Sequence, residues 1–248
     1  MGRLRRFLSV GLAVLLPVIG CACARQTGGP QIIAEEILLQ ETSIPDAGVA
    51  ALPTAPVTMY KKAVTEYLLP LDDYSWERKY PPEYVMIHFT SAVVEHREDP
   101  YGEANVRELF TEGSEISIHY LIQRDGTVYC YLPEDRVAWH AGYGTFGDDP
   151  KYDDNMNHYA IGIELAAIGS AADMEKYLPE ESYLTLDPSL IGFTEEQYDA
   201  LSRLVEDLCS RYDIPCDEAH IIGHNAYSPD KTDPGELFDW NRVLKTGN

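Results

Sequence analysis

The chain has 248 residues, with 41 acidic against 19 basic side chains and a formal net charge of −22. Because binding to phosphates needs a basic face, this balance excludes nucleic acid as an expected partner. It also disfavours loose binding to anionic wall polymers, and solubility is the simplest reason for so strong a charge.

The first twenty residues have the pattern of an export signal. Three arginines within the first six residues form a positive start, and the apolar segment Phe7 to Ile19 is too short for a comfortable membrane span. The sequence VIGC, which ends at Cys21, resembles a bacterial lipobox, in which the cysteine becomes the lipidated first residue of the mature protein. We therefore expect a lipoprotein signal peptide at 1–20 and a membrane anchor at Cys21. Ordinary cleavage at Ala22-Cys23-Ala24, followed by secretion, is the alternative.

Residues 21–80 are predicted to form a tether. They are rich in loop-forming residues, among them GGP at 28–30 and ALPTAPVT at 51–58. A short helix around Lys61 to Leu68 is compatible with the pattern. A segment of this length can hold a folded domain away from a membrane surface, and we place that domain at residues 81–248.

The first half of the folded domain reads as strands joined by turns. The run Tyr84 to Phe89 is continuous and apolar, which is typical of a buried central strand. A helix is expected around 106–110. Strands at 117–123 and 127–132 flank the turn Arg124-Asp125-Gly126, so they are predicted to form a hairpin.

The second half begins with a strand at 159–167 whose two faces differ. Side chains alternate along a strand, so Ile161, Ile163 and Leu165 share a face that is predicted to be core. The opposite face carries only small residues and Glu164. A carboxylate on so bare a face has room for a substrate or water beside it, and we therefore predict a functional role for it.

The rest of the chain predicts an acidic surface excursion, a long helix and a last short strand. The excursion covers 167–192. Thr194 and Gln197 fit a capping box at the start of the helix, which has one apolar face, and Ile221-Ile222 is a strand that leads to His224. The expected fold is mixed α/β, with a central mixed β-sheet flanked by helices.

The segment that runs from His224 to Gly235 holds the clearest chemical signal. His224 and Asp233 are two metal-ligand types near each other in a proline-stiffened loop, with the cation Lys231 between them. His88, near the end of the first predicted strand, can supply a third ligand. Two histidines, one carboxylate and an open fourth position are typical of a zinc site that activates water.

The remaining histidines and cysteines are assigned to other roles. Trp139 and His140 lie among small and aromatic residues and are predicted to contact substrate. Structural or solvent-exposed roles are expected for the other histidines, namely His119 as a hydrogen-bonding residue of the hairpin and His96, His158 and His220 as solvated. Cys130 is expected to be buried, and the spacing of Cys209 and Cys216 permits a disulfide without requiring one.

Five ordered motifs resemble one known family. They are VMIHFTSA, SIHYLIQRDGTVY, RVAWHAG, IGIEL and GHNAYSPDKTDPG, and they extend from about Tyr84 to Trp240. In this order they are similar to the zinc-dependent type-2 N-acetylmuramoyl-L-alanine amidases, which are related to phage T7 lysozyme and the peptidoglycan recognition proteins. The resemblance implies one Zn²⁺ per domain held by His88, His224 and Asp233, with Glu164 as the catalytic acid and Lys231 beside the third ligand.

The resemblance implies hydrolysis of the amide between N-acetylmuramic acid and L-alanine, with peptidoglycan or muropeptides as the partner. We expect a monomer that is exported and anchored to a membrane. Recognition proteins that only bind the wall lack the third ligand, so Asp233 favours an enzyme over a non-catalytic binding module. A zinc peptidase of the stem peptide is a further alternative, although the His-Glu-x-x-His helix is absent from the sequence.

Overall fold

A computed structural model of the chain describes residues 64–66, 69–111 and 114–244. All of these residues belong to one compact unit of the chain. The predicted signal peptide, Cys21 and most of the predicted tether lie outside the described residues. Within the described ranges, no helix is both long enough and apolar enough to span a bilayer.

The described chain contains short strands and helices, of which α5 is the longest. The strands are β1 (Val64–Glu66), β2 (Ser75–Glu77), β3 (Tyr84–Thr90), β4 (Tyr120–Ile122), β5 (Val128–Cys130), β6 (Arg136–Ala138), β7 (Ala160–Ala166) and β8 (Ile221–Gly223). The α-helices are α1 (Leu71–Tyr74), α2 (Glu103–Glu108), α3 (Ala171–Met174), α4 (Glu180–Tyr183), α5 (Glu195–Tyr212) and α6 (His224–Tyr227). Short 3₁₀ helices cover Pro150–Tyr152, Met156–His158, Pro188–Leu190 and Trp240–Arg242.

In the described part of the chain, six strands form one mixed sheet in the order β1-β5-β4-β7-β3-β8. Neighbouring strands are parallel except for β4 and β5, which form the predicted antiparallel hairpin. Strands β2 and β6 pair separately, also antiparallel. The predicted fold class, a central mixed sheet with flanking helices, is confirmed.

Helix α5 covers one face of the sheet. Its capping box is present, because Thr194 accepts from the backbone N–H of Gln197 and the Gln197 side chain accepts from that of Thr194. The helix ends where Asp213 adopts a left-handed conformation with φ 56°. Buried side chains of α5 pack on the buried face of β7, as the apolar periodicity predicts, and include Tyr198, Leu201, Leu204, Val205 and Leu208.

The register between β3 and β7 assigns side chains to opposite faces. Val85 pairs with Ile161 and is fully buried under α5. The alternate pairs, among them His88 opposite Glu164, therefore lie on the other face of the sheet. That face is the one on which the chemical residues gather.

The folded unit begins earlier than the predicted boundary at residue 81. Strand β1 pairs in parallel with β5, and Leu69 is buried beside Val106 and Phe110. Residues 64–66 therefore form an edge strand where the sequence suggested a helix. Three residues of edge strand are too short to show a period, and the surrounding prolines masked the signal.

The excursion at 167–192 is more than a surface loop. It contains helices α3 and α4 and has a small apolar core of its own, which the acidic composition of the segment did not indicate. The buried members include Ile168, Met174, Leu178 and Leu186. The segment therefore has a packed interior of its own and can support neighbouring loops.

A buried ion pair fixes the segment that precedes β6. Glu134 accepts hydrogen bonds from Arg211 on α5 and from the hydroxyls of Tyr120 and Tyr212. Burial alone would raise the pKa of Glu134, but the Arg211 guanidinium outweighs it and lowers the pKa. Arg211 also pairs with Asp207 at 2.8 Å. These bonds tie the chain entering β6 to the long helix.

We expect Glu134→Gln to lower the free energy of unfolding at pH 7 by about 3 kcal/mol, because Arg211 loses its buried carboxylate and keeps only Asp207. A depressed pKa stabilises the fold above the unfolded value near 4.5, and this contribution disappears as the pH falls through the folded value. Urea unfolding at neutral pH and at about pH 3 should therefore show a difference from wild type that shrinks in acid. Glu195→Gln, which alters an exposed pair with Arg242, is the control with little expected effect. An equal difference at both pH values would contradict the assignment.

Candidate metal centre

Two parallel strands and a returning loop bring three metal-ligand side chains together. His88 lies in β3, and His224 directly follows β8, the neighbouring parallel strand. Their side chains meet because parallel strands direct their carboxyl ends to the same edge of the sheet. The loop beyond α6 then returns Asp233, whose carbonyl accepts from the backbone N–H of Asn225 at 2.9 Å.

The three side chains form a tight triangle of donor atoms. Oδ2 of Asp233 lies 2.8 Å from Nδ1 of His88 and 3.0 Å from Nδ1 of His224, and the two nitrogens are 3.1 Å apart. Both imidazoles are buried, at 2% and 3% exposure, while Asp233 is partly exposed. Within the described ranges, these residues form a group that can hold a metal ion.

The hydrogen-bond partner of His224 fits metal ligation. Its Nε2 lies 2.9 Å from the carbonyl oxygen of Ala141, which can only accept, so Nε2 carries the proton. In the neutral ring, Nδ1 then carries a lone pair that is directed at the carboxylate of Asp233. Two acceptors facing each other repel, and a cation between them removes the repulsion.

The charge of the cluster also favours a cation. Burial, helped by the neighbouring His224, lowers the pKa of His88 to about 4, so this ring is neutral at neutral pH. Burial alone would raise the pKa of Asp233, yet the adjacent rings of His224 and His88 outweigh it and hold the pKa below its usual range. The result is an anionic carboxylate beside a neutral His88 ring.

The size of the triangle is close to that of a tetrahedral ligand set. Ligand atoms about 2.1 Å from a tetrahedral ion lie about 3.4 Å from one another. The observed separations of 2.8–3.1 Å need only a few tenths of an ångström of spreading. Residue type, tautomer and spacing all fit a divalent metal.

Glu164 lies beside the triangle on the same face of the sheet. It is the register partner of His88 on one side and of Leu121 on the other. Burial raises the pKa of Glu164 well above its usual value, the charge of Asp233 raises it further, and Lys231 opposes both. Its Oε2 is buried and has no hydrogen-bond partner among the described residues. A carboxyl group with a pKa raised in this way keeps its proton to a higher pH than an exposed glutamate does.

The loop that carries Lys231 and Asp233 is fixed to the excursion. The hydroxyl of Thr232 donates to the carbonyl of Asp173 at 3.2 Å, and the backbone N–H of Glu236 donates to the Asp173 carboxylate at 3.3 Å. Gly235, at φ 78°, has no room for a Cβ because Asp173 would lie 2.4 Å from it. Helix α3 therefore supports the third candidate ligand.

The structure separates the two residues predicted to contact substrate. The ring of His140 is only 8% exposed, and its Nδ1 lies 3.0 Å from Nε2 of His88. Trp139 is partly exposed, and its ring centroid lies 5.4 Å from that of the half-exposed Trp76. Contact with substrate remains a prediction for both residues.

The other histidines lie outside the triangle. His119 is fully buried and accepts from the backbone N–H of Gly162, as expected of a structural residue. His158 is not simply solvated, because its ring stacks on Trp76 at 5.4 Å and burial lowers its pKa. The partly exposed His220 pairs with the carboxylate of Asp217.

The three described cysteines are free thiols. Cys130 is buried, as predicted. Cys209 and Cys216, whose spacing permits a disulfide, are not bonded to each other in the structure.

Three contributors to the site were missed at the level of sequence. They are the carbonyl of Ala141, the docking residue Asp173 and Gly162, whose missing side chain admits the ring of His140. A signal existed only for Gly162, since a glycine inside a strand often marks a close approach of another group. The roles of a backbone carbonyl and of a docked loop cannot be recognised from the types of residue in the sequence.

Comparison with known proteins identifies the same family. Residues 78–236 match the family model described as N-acetylmuramoyl-L-alanine amidase. The 1,6-anhydro-N-acetylmuramyl-L-alanine amidase AmpD of Citrobacter freundii is 33% identical over 128 residues, which cover 51% of this chain and 54% of that protein. The N-acetylmuramoyl-L-alanine amidase AmiD of Escherichia coli is 28% identical over 143 residues, covering 54% and 45%.

A solved structure shares the fold. The crystal structure of a selenomethionine AmpD derivative aligns with a TM-score of 0.51 and 26% identity, over 73% of this chain and 92% of that one. The chain spans about half the length of the curated relatives that it matches.

We expect divalent metal to raise the melting temperature of the full-length chain and a chelator to reverse the rise. An ion at 100 times its dissociation constant adds about 2.7 kcal/mol to the free energy of unfolding. Asp233→Ala should abolish the rise, because the anionic ligand is lost and only the two imidazoles remain. Asp217→Ala, which removes the carboxylate of the partly exposed pair with His220, should keep it. A full rise in Asp233→Ala would show that this carboxylate is not a ligand.

Proposed function

Because this chain belongs to the N-acetylmuramoyl-L-alanine amidase family, we propose that it hydrolyses the amide bond between N-acetylmuramic acid and L-alanine in peptidoglycan or its fragments. The observation that carries the proposal is the meeting of His88, His224 and Asp233 beside Glu164 on one face of the sheet. The names of the relatives, which refer to 1,6-anhydro-N-acetylmuramyl-L-alanine and N-acetylmuramoyl-L-alanine, support muropeptides as the substrate class.

The proposed cofactor is one Zn²⁺, with His88, His224 and Asp233 as its ligands. When bound, it supplies Lewis acidity, which makes a water molecule more acidic and a carbonyl carbon more electrophilic. Nitrogen and carboxylate donors in this ratio are a ligand set that zinc accepts. Two of these ligands are buried, His88 within β3 and His224 directly after β8, so the fold holds them in place.

Glu164 is the proposed proton carrier. Its raised pKa makes the carboxylate a stronger base than an exposed glutamate, so it takes a proton from the attacking water. The oxygen of that water bonds to the carbonyl carbon. Glu164 then delivers the proton to the amide nitrogen as the carbon–nitrogen bond breaks, which leaves a carboxylate on the lactyl group and a free amine on L-alanine.

Lys231 is proposed to stabilise the negative oxygen of the tetrahedral intermediate. Lys231 lies two residues before Asp233 in the same loop, and its charge acts to lower the pKa of both Glu164 and His88. Loss of one such electrostatic donor typically lowers kcat by about two to three orders of magnitude. Trp139 and His140 are the proposed substrate contacts. We propose that the enzyme is a monomer.

The proposal predicts a single type of cut. Purified wall or anhydromuropeptides incubated with the full-length chain should release peptides that begin with free L-alanine, and a chelator should stop the release. Mass spectrometry of the products distinguishes this cut from cleavage within the stem peptide. Products cut inside the peptide would indicate a zinc peptidase, and binding to wall without any product would indicate a non-catalytic module.

The matched variant for this assay is Glu164→Gln, which keeps the shape of the side chain but cannot carry the proton. It should lose nearly all turnover while it retains the metal content of the wild type. Full activity in this variant would refute the role of Glu164 without affecting the ligand set.

For location, we propose export as a lipoprotein, with a signal peptide at 1–20, lipid on Cys21, and a tether that ends before the folded unit. Radiolabelled palmitate should enter the wild-type chain and Cys23→Ala but not Cys21→Ala, because only the first cysteine ends the lipobox-like sequence. Label that persists in Cys21→Ala, or a wild-type chain found wholly in the medium, would rule out the anchor.

A further inference from the structure

The ring nitrogen of His88 that faces away from the triangle, Nε2, has the side chain of His140 as its partner. Its Nε2 lies 3.0 Å from Nδ1 of His140, and the two rings meet edge to face at 85°. Both rings are buried, at 2% and 8% exposure. His224 differs, because its second nitrogen bonds to the backbone carbonyl of Ala141.

A ligand histidine that binds metal through one nitrogen carries its proton on the other, and that proton needs an acceptor. For His88, whose Nδ1 faces Asp233 and His224, the acceptor in reach is Nδ1 of His140. We propose that His140 is a positioning residue that accepts this hydrogen bond and so keeps the lone pair of His88 directed at the metal. This inference rests on the metal site of the proposed function, and it gives His140 a role other than substrate contact.

The surroundings of His140 hold its ring in place for this role. A Cβ on Gly162 would lie 2.6 Å from Cγ of His140 and 2.7 Å from its Nδ1, so the ring packs directly on the backbone of β7. The backbone N–H groups of His140 and Ala141 both donate to Oδ1 of Asn157, at 2.9 and 2.8 Å. The bonds to Asn157 therefore hold the backbone of His140, and the backbone of β7 holds its ring.

The acceptor role places the proton of the neutral His140 ring on its other nitrogen, Nε2. Its Nε2 is buried and has no hydrogen-bond partner among the described residues. No described group therefore competes with His88 for control of the tautomer. His140 accepts at Nδ1 when His88 donates, which is the state that metal ligation requires.

The test measures zinc affinity of the full-length chain by competition with a chromophoric chelator. His140→Leu removes the acceptor and should weaken zinc binding about 10- to 100-fold, as is typical when the partner of a ligand histidine is lost. His140→Asn should restore most of the affinity, because its side-chain carbonyl takes the place of Nδ1. His158→Leu removes another partly buried ring, which stacks on Trp76 outside the triangle, and should bind zinc like wild type.

Wild-type affinity in His140→Leu, or equal weakness of the folded Leu and Asn variants, would overturn the proposal. A measurement on the wild type covers the case in which the variants do not fold. Nitrogen-15 NMR of the zinc-loaded chain should place the shared proton on Nε2 of His88, and a proton on Nδ1 of His140 would contradict the inference. A wild-type chain that binds no zinc would overturn both this role and the proposed metal site, whereas zinc binding that ignores His140 would overturn this role alone.

Discussion

The parallel register of β3 between β7 and β8 is the constraint on which the site depends. It sets His88 opposite Glu164 and directs the end of β8 toward the same edge, where His224 begins the next helix. A shift by one residue would move His88 to the face under α5 and bring an apolar side chain into the site. The apolar pairs under the helix, such as Val85 with Ile161, oppose this shift because it would expose them. Core packing therefore determines the geometry of the polar face.

The face of the sheet opposite α5 has polar side chains, and not an apolar core, at its centre. Apolar clusters lie on either side, one around Met86 and one around Leu121. Between them, small residues of β7 make room for a layer of imidazoles. This layer is expensive to bury, and each ring that faces the sheet has its own partner, as His119 does with Gly162. The lone pairs of the triangle, like the buried Oε2 of Glu164, remain uncompensated within the described part of the chain.

Sequence reasoning predicted what depends on period and spacing. The apolar run of β3, the alternation around Glu164 and the capping box of α5 are local patterns, and each has its predicted place in the fold. It failed at β1 because a three-residue strand is held by its neighbour and not by its own pattern. Residue type and position marked the candidate ligands and Glu164, and the family resemblance then assigned them to one site. The contacts that fix them are invisible in a sequence because they use a carbonyl or a missing side chain.

The docking of the ligand loop on α3 limits how far this domain can be reduced. Asp173 contacts Thr232 and Glu236 on either side of Asp233, so the acidic excursion acts as the floor of that loop. Its buried side chains, including Met174, hold α3 in turn. Removal of the excursion from a minimised version of the domain would take away the support of one corner of the triangle. The excursion, whose acidic composition makes it look dispensable, thus supports the site.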